Sequence, residues 1–169
     1  MFLFKSDEEK KAERLKELTY DNTPVFSFNG RIFLSKVLDV YDGDTLTITI
    51  KFEEQYHRIN CRLNGIDTPE LRSHDEDEKE AAKLAKNHLI FLLLGLKITD
   101  ENSRDGIRKL CSLNNTIVKV KCLDFDKYGR LLVELYKDSI CINEKMISDG
   151  FAGSYDGGTK GNWKDYFKH

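Results

Sequence analysis

Carboxylates gather at two short stretches of this sequence, Asp42-Gly43-Asp44-Thr45 and Asp67-Thr68-Pro69-Glu70, with arginines nearby at Arg62 and further on at Arg130. Carboxylates clustered without neutralising bases repel one another, so such a group either takes up protons or collects a cation. Their hard oxygens suit calcium. A guanidinium fork can bond two phosphate oxygens at once, which the point charge of a lysine does less well. Taken singly, the segments are unspecific. Asp-Gly-Asp-Thr is an ordinary turn. Asp-Thr-Pro-Glu is a turn or helix start. Asp126-Lys127-Tyr128-Gly129-Arg130 is a plausible hairpin loop. An EF-hand reading of the first stretch fails, because Tyr41, Gly43 or Leu46 would stand where ligands are needed. The acidic run His74 to Glu78 reads as a solvated helix start rather than a second metal site.

The elements that must position these residues are mostly strands. A charged helix over 7–18 is followed by a break at Asn22-Thr23-Pro24. Val25–Phe28 and Arg31–Val40 flank Asn29-Gly30, a strong two-residue hairpin signal. Leu46–Phe52 alternates as a half-buried strand does, and Tyr56–Leu63 continues the pattern. From Asp75 to Leu94 the period becomes helical, and Gly95 ends it. Residues 97–115 read as an inserted excursion with a short helix at 104–111. Strands follow at Thr116–Leu123 and Leu131–Tyr136. A short helix at Ile142–Ser148 is closed by Gly150. The pattern predicts an α+β fold dominated by β: a five-stranded barrel of the oligonucleotide/oligosaccharide-binding (OB) type, with its main helix between the third and fourth strands and short flanking helices. Residues 1–24 are expected to be a helix and linker, and residues 25–169 a single domain.

At 169 residues, 40% hydrophobic and 33% charged, the chain can bury a real core. Its longest apolar run, Leu89–Leu96, is about half of what a bilayer needs. Met1–Phe4 is too short for the apolar region of a signal peptide. The expectation is an intracellular, cytoplasmic chain with no membrane partner. Cys61, Cys111, Cys122 and Cys141 form no CxxC pair and read as buried thiols. The net charge of −2 is uneven: residues 21–70 carry five basic and eight acidic side chains, and residues 106–169 carry eleven and eight. A nucleic-acid protein usually shows a more basic face.

Together and in this order, Asp42-Gly43-Asp44-Thr45, Arg62 followed by Asp67-Thr68-Pro69-Glu70, and Lys127-Tyr128-Gly129-Arg130 resemble the staphylococcal nuclease (thermonuclease-like) family, over roughly residues 32–155. The resemblance implies the same barrel and a calcium-dependent nuclease acting on DNA or RNA. It implies Asp44, Asp67 and the Thr68 carbonyl as ligands of Ca2+. Glu70 would orient or activate the attacking water, and Arg62 and Arg130 would grip the phosphate. Lys127, Tyr128 and Tyr155 would contact substrate, stacking being tolerant of sequence. Asp42 is expected to support its neighbours rather than bind the ion. A single-stranded or unpaired substrate and a monomer are expected.

The competing reading is a nucleic-acid-binding or scaffolding barrel without cleavage. The presence of all five key side chains favours the enzyme. Three features depart from the family pattern. The 97–115 stretch is long, the net charge is acidic, and little chain follows Tyr155 for a C-terminal helix. In that last place stands Asp156-Gly157-Gly158-Thr159-Lys160, where a backbone phosphate contact aided by Lys160 is expected.

Overall fold

A computed structural model describes residues 6–98 and 103–169; Met1–Phe4 and part of the expected 97–115 excursion lie outside these residues. The first helix, α1 (Asp7–Lys16), forms for local reasons. Ser6 and Glu9 cap each other reciprocally, acids fill its first turn and bases its last. It buries no residue.

Alternation in the next segments builds a barrel. Strands β1 (Ile32–Val40), β2 (Thr45–Phe52), β3 (Gln55–Leu63), β5 (Ile117–Phe125) and β6 (Leu131–Lys137) pair antiparallel in the order β3-β2-β1-β5-β6. A parallel pairing of β3 with β6 closes the ring. The short strand β7 (Ile140–Cys141) pairs with β6, while β4 (Ile66–Asp67) and β8 (Gly153–Ser154) form a separate two-stranded sheet. Inside lie Val37, Leu46, Ile48, Cys61, Leu63, Val118, Val120, Leu131, Val133 and Leu135, all essentially inaccessible. Each large side chain so buried contributes about 1.5–3 kcal/mol. The intervening residues face outward. On one face of β2 and β3 the cross-strand rungs are Thr45–Arg62, Thr47–Asn60 and Thr49–Arg58.

Helix α2 (Glu76–Leu94) starts at an Asp75 cap and stops where Gly95 turns left-handed, at φ 72°. It lays Ala85, Leu89, Ile90 and Leu93 on the core. Helix α3 (Arg104–Leu113) falls in the expected excursion and packs on β1 through Ile107 and Cys111. Its Arg104 and Arg108 each donate from Nε to Asp39 Oδ2, at 3.1 and 3.0 Å. Helix α4 (Ile142–Ser148) buries Ile142 and Met146. Cys61, Cys111 and Cys122 are buried thiols, whereas Cys141 is half-buried. No helix among the described residues is long and apolar enough to cross a membrane.

The hairpin expected across Asn29-Gly30 does not form. Residues 25–28 are not a strand, and Gly30 N–H instead donates to Cys122 O on β5 (2.9 Å). Packing decides this: the Phe28 ring meets Phe26, Phe33 and Phe52 edge-on, at 4.9–5.7 Å between centroids. The turn itself forms, with Arg31 N–H donating to Phe28 O (2.9 Å) and Gly30 at φ 80°, but the aromatic cluster holds residues 25–28 off any strand pairing.

Candidate functional site

A cleft of about 830 Å³ opens where β1, β2, β3 and β6 meet the tail. The loop from β1 to β2 supplies Asp42 and Asp44. Asp42 Oδ1 accepts from Asp44 N–H (3.1 Å) and so shapes the turn. Gly43 is required there by close approach, since a Cβ would lie 2.9–3.0 Å from Thr68 and Ala85. Asp44 is buried and accepts from the Thr45 hydroxyl (2.8 Å). Burial, with the Asp42 charge beside it, pushes its carboxyl up to about 7, while Arg62 and the Thr45 hydroxyl pull the other way.

Asp67 reaches the same point from β4. Its backbone is fixed by pairing with Gly153 of β8. One guanidinium nitrogen, Arg62 NH2, lies 2.9 Å from Asp44 Oδ2 and 3.3 Å from Asp67 Oδ1. Two carboxylates that share one nitrogen converge closely, and all three side chains are more than nine-tenths buried. Arg62 is covered by the Tyr155 ring, whose centre lies 5.3 Å from its guanidinium carbon. Thr68 is buried beside Asp67.

Arg130 comes from the β5–β6 loop. Asp126 Oδ1 accepts from the backbone N–H of Tyr128 and of Arg130, both at 2.9 Å, which closes a compact turn through left-handed Gly129. Its other oxygen accepts from Arg130 Nε at 2.7 Å. Arg130 NH1 then points to Thr45 Oγ1, 3.4 Å away, and so faces the Asp44 turn. Tyr128 is exposed at the rim, with Lys127 and Arg130 over its ring at 5.1 and 5.5 Å.

Glu70 lines the cleft but is half-exposed, and its carboxylate is ion-paired with Lys160 Nζ. The same ammonium lies 2.9 Å from Asp67 Oδ1. The structure thus brings Asp44, Arg62, Asp67, Thr68, Glu70, Lys127, Tyr128, Arg130 and Tyr155 around one cleft. Lys160 is there too, with its ammonium on the carboxylates of Asp67 and Glu70. Its position follows from the tail. Tyr155 N–H donates to Gly65 O (2.9 Å) and its hydroxyl to Gly158 O (3.0 Å). Tyr166 packs on Gly153 so closely that a Cβ there would meet its ring at 2.5 Å. Phe151 is stacked between His88 and His169. The aromatic spacing Trp163, Tyr166, Phe167 was the available signal for this docking.

Asn143 is a residue that no motif or pattern in the sequence marks. Buried on α4, it accepts from Leu135 N–H (3.0 Å) and donates to Asn64 O (2.8 Å) and Val133 O (3.0 Å). It fixes the Asn64-Gly65 turn between Arg62 and Asp67.

As a cation site the donors fit in kind. Two buried carboxylates converge on one point, and their present counter-charges are Arg62 and Lys160. Among the described residues no cluster of three carboxylate, His or Cys side chains forms, so water and backbone oxygens would complete any coordination.

A family model described as staphylococcal nuclease homologue matches residues 60–168. That span holds the site residues named here except those of the 42–45 turn, which precede it. An uncharacterized protein of Bacillus anthracis is 29% identical over 119 residues, covering 69% of this chain and 44% of that protein. An uncharacterized protein of Methanocaldococcus jannaschii is 26% identical over 152 residues, covering 81% of this chain and 66% of that protein. The chain therefore spans less than two thirds of either relative.

Proposed function

This chain belongs to the staphylococcal nuclease homologue family, and from that premise we propose that it is a calcium-dependent nuclease that hydrolyses phosphodiester bonds of DNA or RNA. One observation carries the reading: Arg62 is fixed between two buried carboxylates while Arg130 faces the same point from another loop. Two forks aimed into one cleft can hold a phosphate from two sides. Asp44, Asp67 and the Thr68 carbonyl would hold Ca2+. When bound, the ion supplies positive charge to the phosphate oxygens.

The other steps fall to the chain's own groups. Arg62 and Arg130 hold the phosphate and stabilise the charge that grows on its oxygens as water attacks. Both are already oriented, by Asp44 with Asp67 and by Asp126, so little reorganisation is left for the reaction. Glu70 accepts the water's proton after its carboxylate parts from Lys160. Tyr128 and Tyr155 offer rings for bases, and Lys127 a charge for a neighbouring phosphate.

The second reading, a binding module without cleavage, draws on that same ion pair, because a Glu70 held by Lys160 is not available as a base. Purified chain is incubated with single-stranded DNA and RNA, with calcium and with a chelator. Cleavage with calcium alone is expected, and Arg130→Ala should lower kcat by roughly 100–1,000-fold with the fold intact. Binding without cleavage under both conditions would establish the module instead.

A further inference from the structure

A second depression, of about 590 Å³, lies on the outer face of the barrel that carries the cleft. The two are joined by the β2–β3 ladder. Arg62, paired with Thr45, lines the cleft. Asn60 and Thr47 form the next rung and line the groove, and Arg58 follows one rung on. Successive rungs on one face are about 7 Å apart along a strand. That is of the order of the spacing between phosphates in an extended single strand.

Helix α3 forms the facing wall with Arg104 and Arg108. Both engage Asp39 through Nε, and both side chains remain about half-exposed. Arg104 also lies over the Tyr41 ring, at 5.5 Å, and Tyr41 adjoins Asp42 of the cleft. Arg58 differs from these two. Its side chain is exposed and has no ion-pair or hydrogen-bond partner among the described residues. Three guanidiniums therefore face one buried carboxylate here, with exposed Asp105 3.8 Å from Arg108 NH1, in a chain whose net charge is −2. Arg104 and Arg108 have a structural task in neutralising buried Asp39; Arg58 has none.

We propose that this groove is a second nucleic-acid subsite, in which Arg58, backed by Arg104, Arg108 and Asn60, holds the phosphates of the strand running on from the cleft. The assignment rests on the reading of the cleft as a phosphodiester site. It also answers the acidic net charge: the basic field is local and laid along the substrate's path.

The test uses Arg58→Ala and Arg58→Glu, which disturb no contact in the fold. Binding of a fluorescein-labelled single strand of about 12 nucleotides is followed by anisotropy in chelator, which suppresses cleavage, over a salt series. Dinucleotide competition measures the cleft alone. Arg58→Ala should weaken binding of the long strand roughly fivefold, make the log affinity against log salt slope shallower by about one, and shrink the advantage of the long strand over the dinucleotide. Arg58→Glu should do so more strongly. Equal affinity and slope in wild type and Arg58→Ala would overturn the subsite while leaving a cutting enzyme intact. A wild-type chain that binds no strand would overturn it as well. Weakened binding in a chain that never cuts would uphold the groove and sink the nuclease.

Discussion

Arg62 and Arg58 stand four residues apart on the same face of β3, yet they live in opposite surroundings. Arg62 is 8% exposed, bridges two carboxylates and lies under Tyr155. Arg58 is open to solvent and unpaired among the described residues. The difference separates two uses of one side chain. A buried, doubly anchored guanidinium has lost its conformational freedom before substrate arrives, so its bonds to phosphate carry little further entropy cost. An exposed one retains that freedom and acts through charge, which attracts a polyanion but positions nothing.

Exchanging each arginine for lysine sharpens that contrast and gives the largest expected effect. Arg62→Lys keeps the charge but loses the fork, so Asp44, Asp67 and phosphate can no longer be held together. Its kcat should fall about 100-fold. Arg58→Lys keeps the only property the groove uses, and long-strand affinity should stay within about twofold. Steady-state kinetics on one and anisotropy on the other check the pair. If Arg62→Lys cuts at the wild-type rate, buried anchoring is irrelevant and the comparison fails.

Asn143 tests the support behind the buried half. Replacing it with Ala strips the side-chain partner from Leu135 N–H and Asn64 O, while Val133 O keeps its bond from Asn64 N–H (2.9 Å). Stranded buried backbone groups cost about 1–3 kcal/mol each, lessened where water enters. Asn143→Ala should lose about 2–3 kcal/mol in chemical denaturation. Its kcat should also drop, because the Asn64-Gly65 turn sets the distance between Arg62 and Asp67. A stability loss with no change in kcat would show that the turn holds itself.

The sequence showed most of what is local. Alternation in 46–52 and 56–63 located β2 and β3, and the helical period of 75–94 with Gly95 located α2, because each pattern is written within one element. The three motifs were visible as residue types, and their convergence followed once the barrel closed β3 onto β6. What stayed hidden depends on contacts distant in sequence. Phe28 plugs the barrel end instead of completing a hairpin, since its ring partners lie on β1 and β2. Asn143 satisfies backbone groups on two other segments. The outer ladder from Arg62 to Arg58 was present as alternate residues, but only the docking of α3 makes it one wall of a groove. The tail offered only its aromatic spacing, and the ion pairs of Lys160 with Asp67 and Glu70 join residues far apart in sequence.

Lys160 supplies the smallest effect and divides the site from within. Its ammonium holds Asp67 and Glu70 together, and Asp67 is one of the carboxylates proposed to hold calcium. A cation and an ammonium cannot both use the same Asp67 oxygen at full strength. The side chain is about half-exposed, so solvent weakens the pair and displacement is cheap. Lys160→Ala removes the internal competitor and should tighten calcium binding roughly fivefold in calorimetry without nucleic acid. Lys160→Arg, which keeps the charge on a longer fork, should not. Tighter binding in Lys160→Ala alone would mean that the carboxylates are tuned by a tethered counter-ion, much as Asp44 and Asp67 tune Arg62. Unchanged or weaker binding would mean that Lys160 and the ion occupy different sides of Asp67, and the tail would then be a structural strap over the cleft.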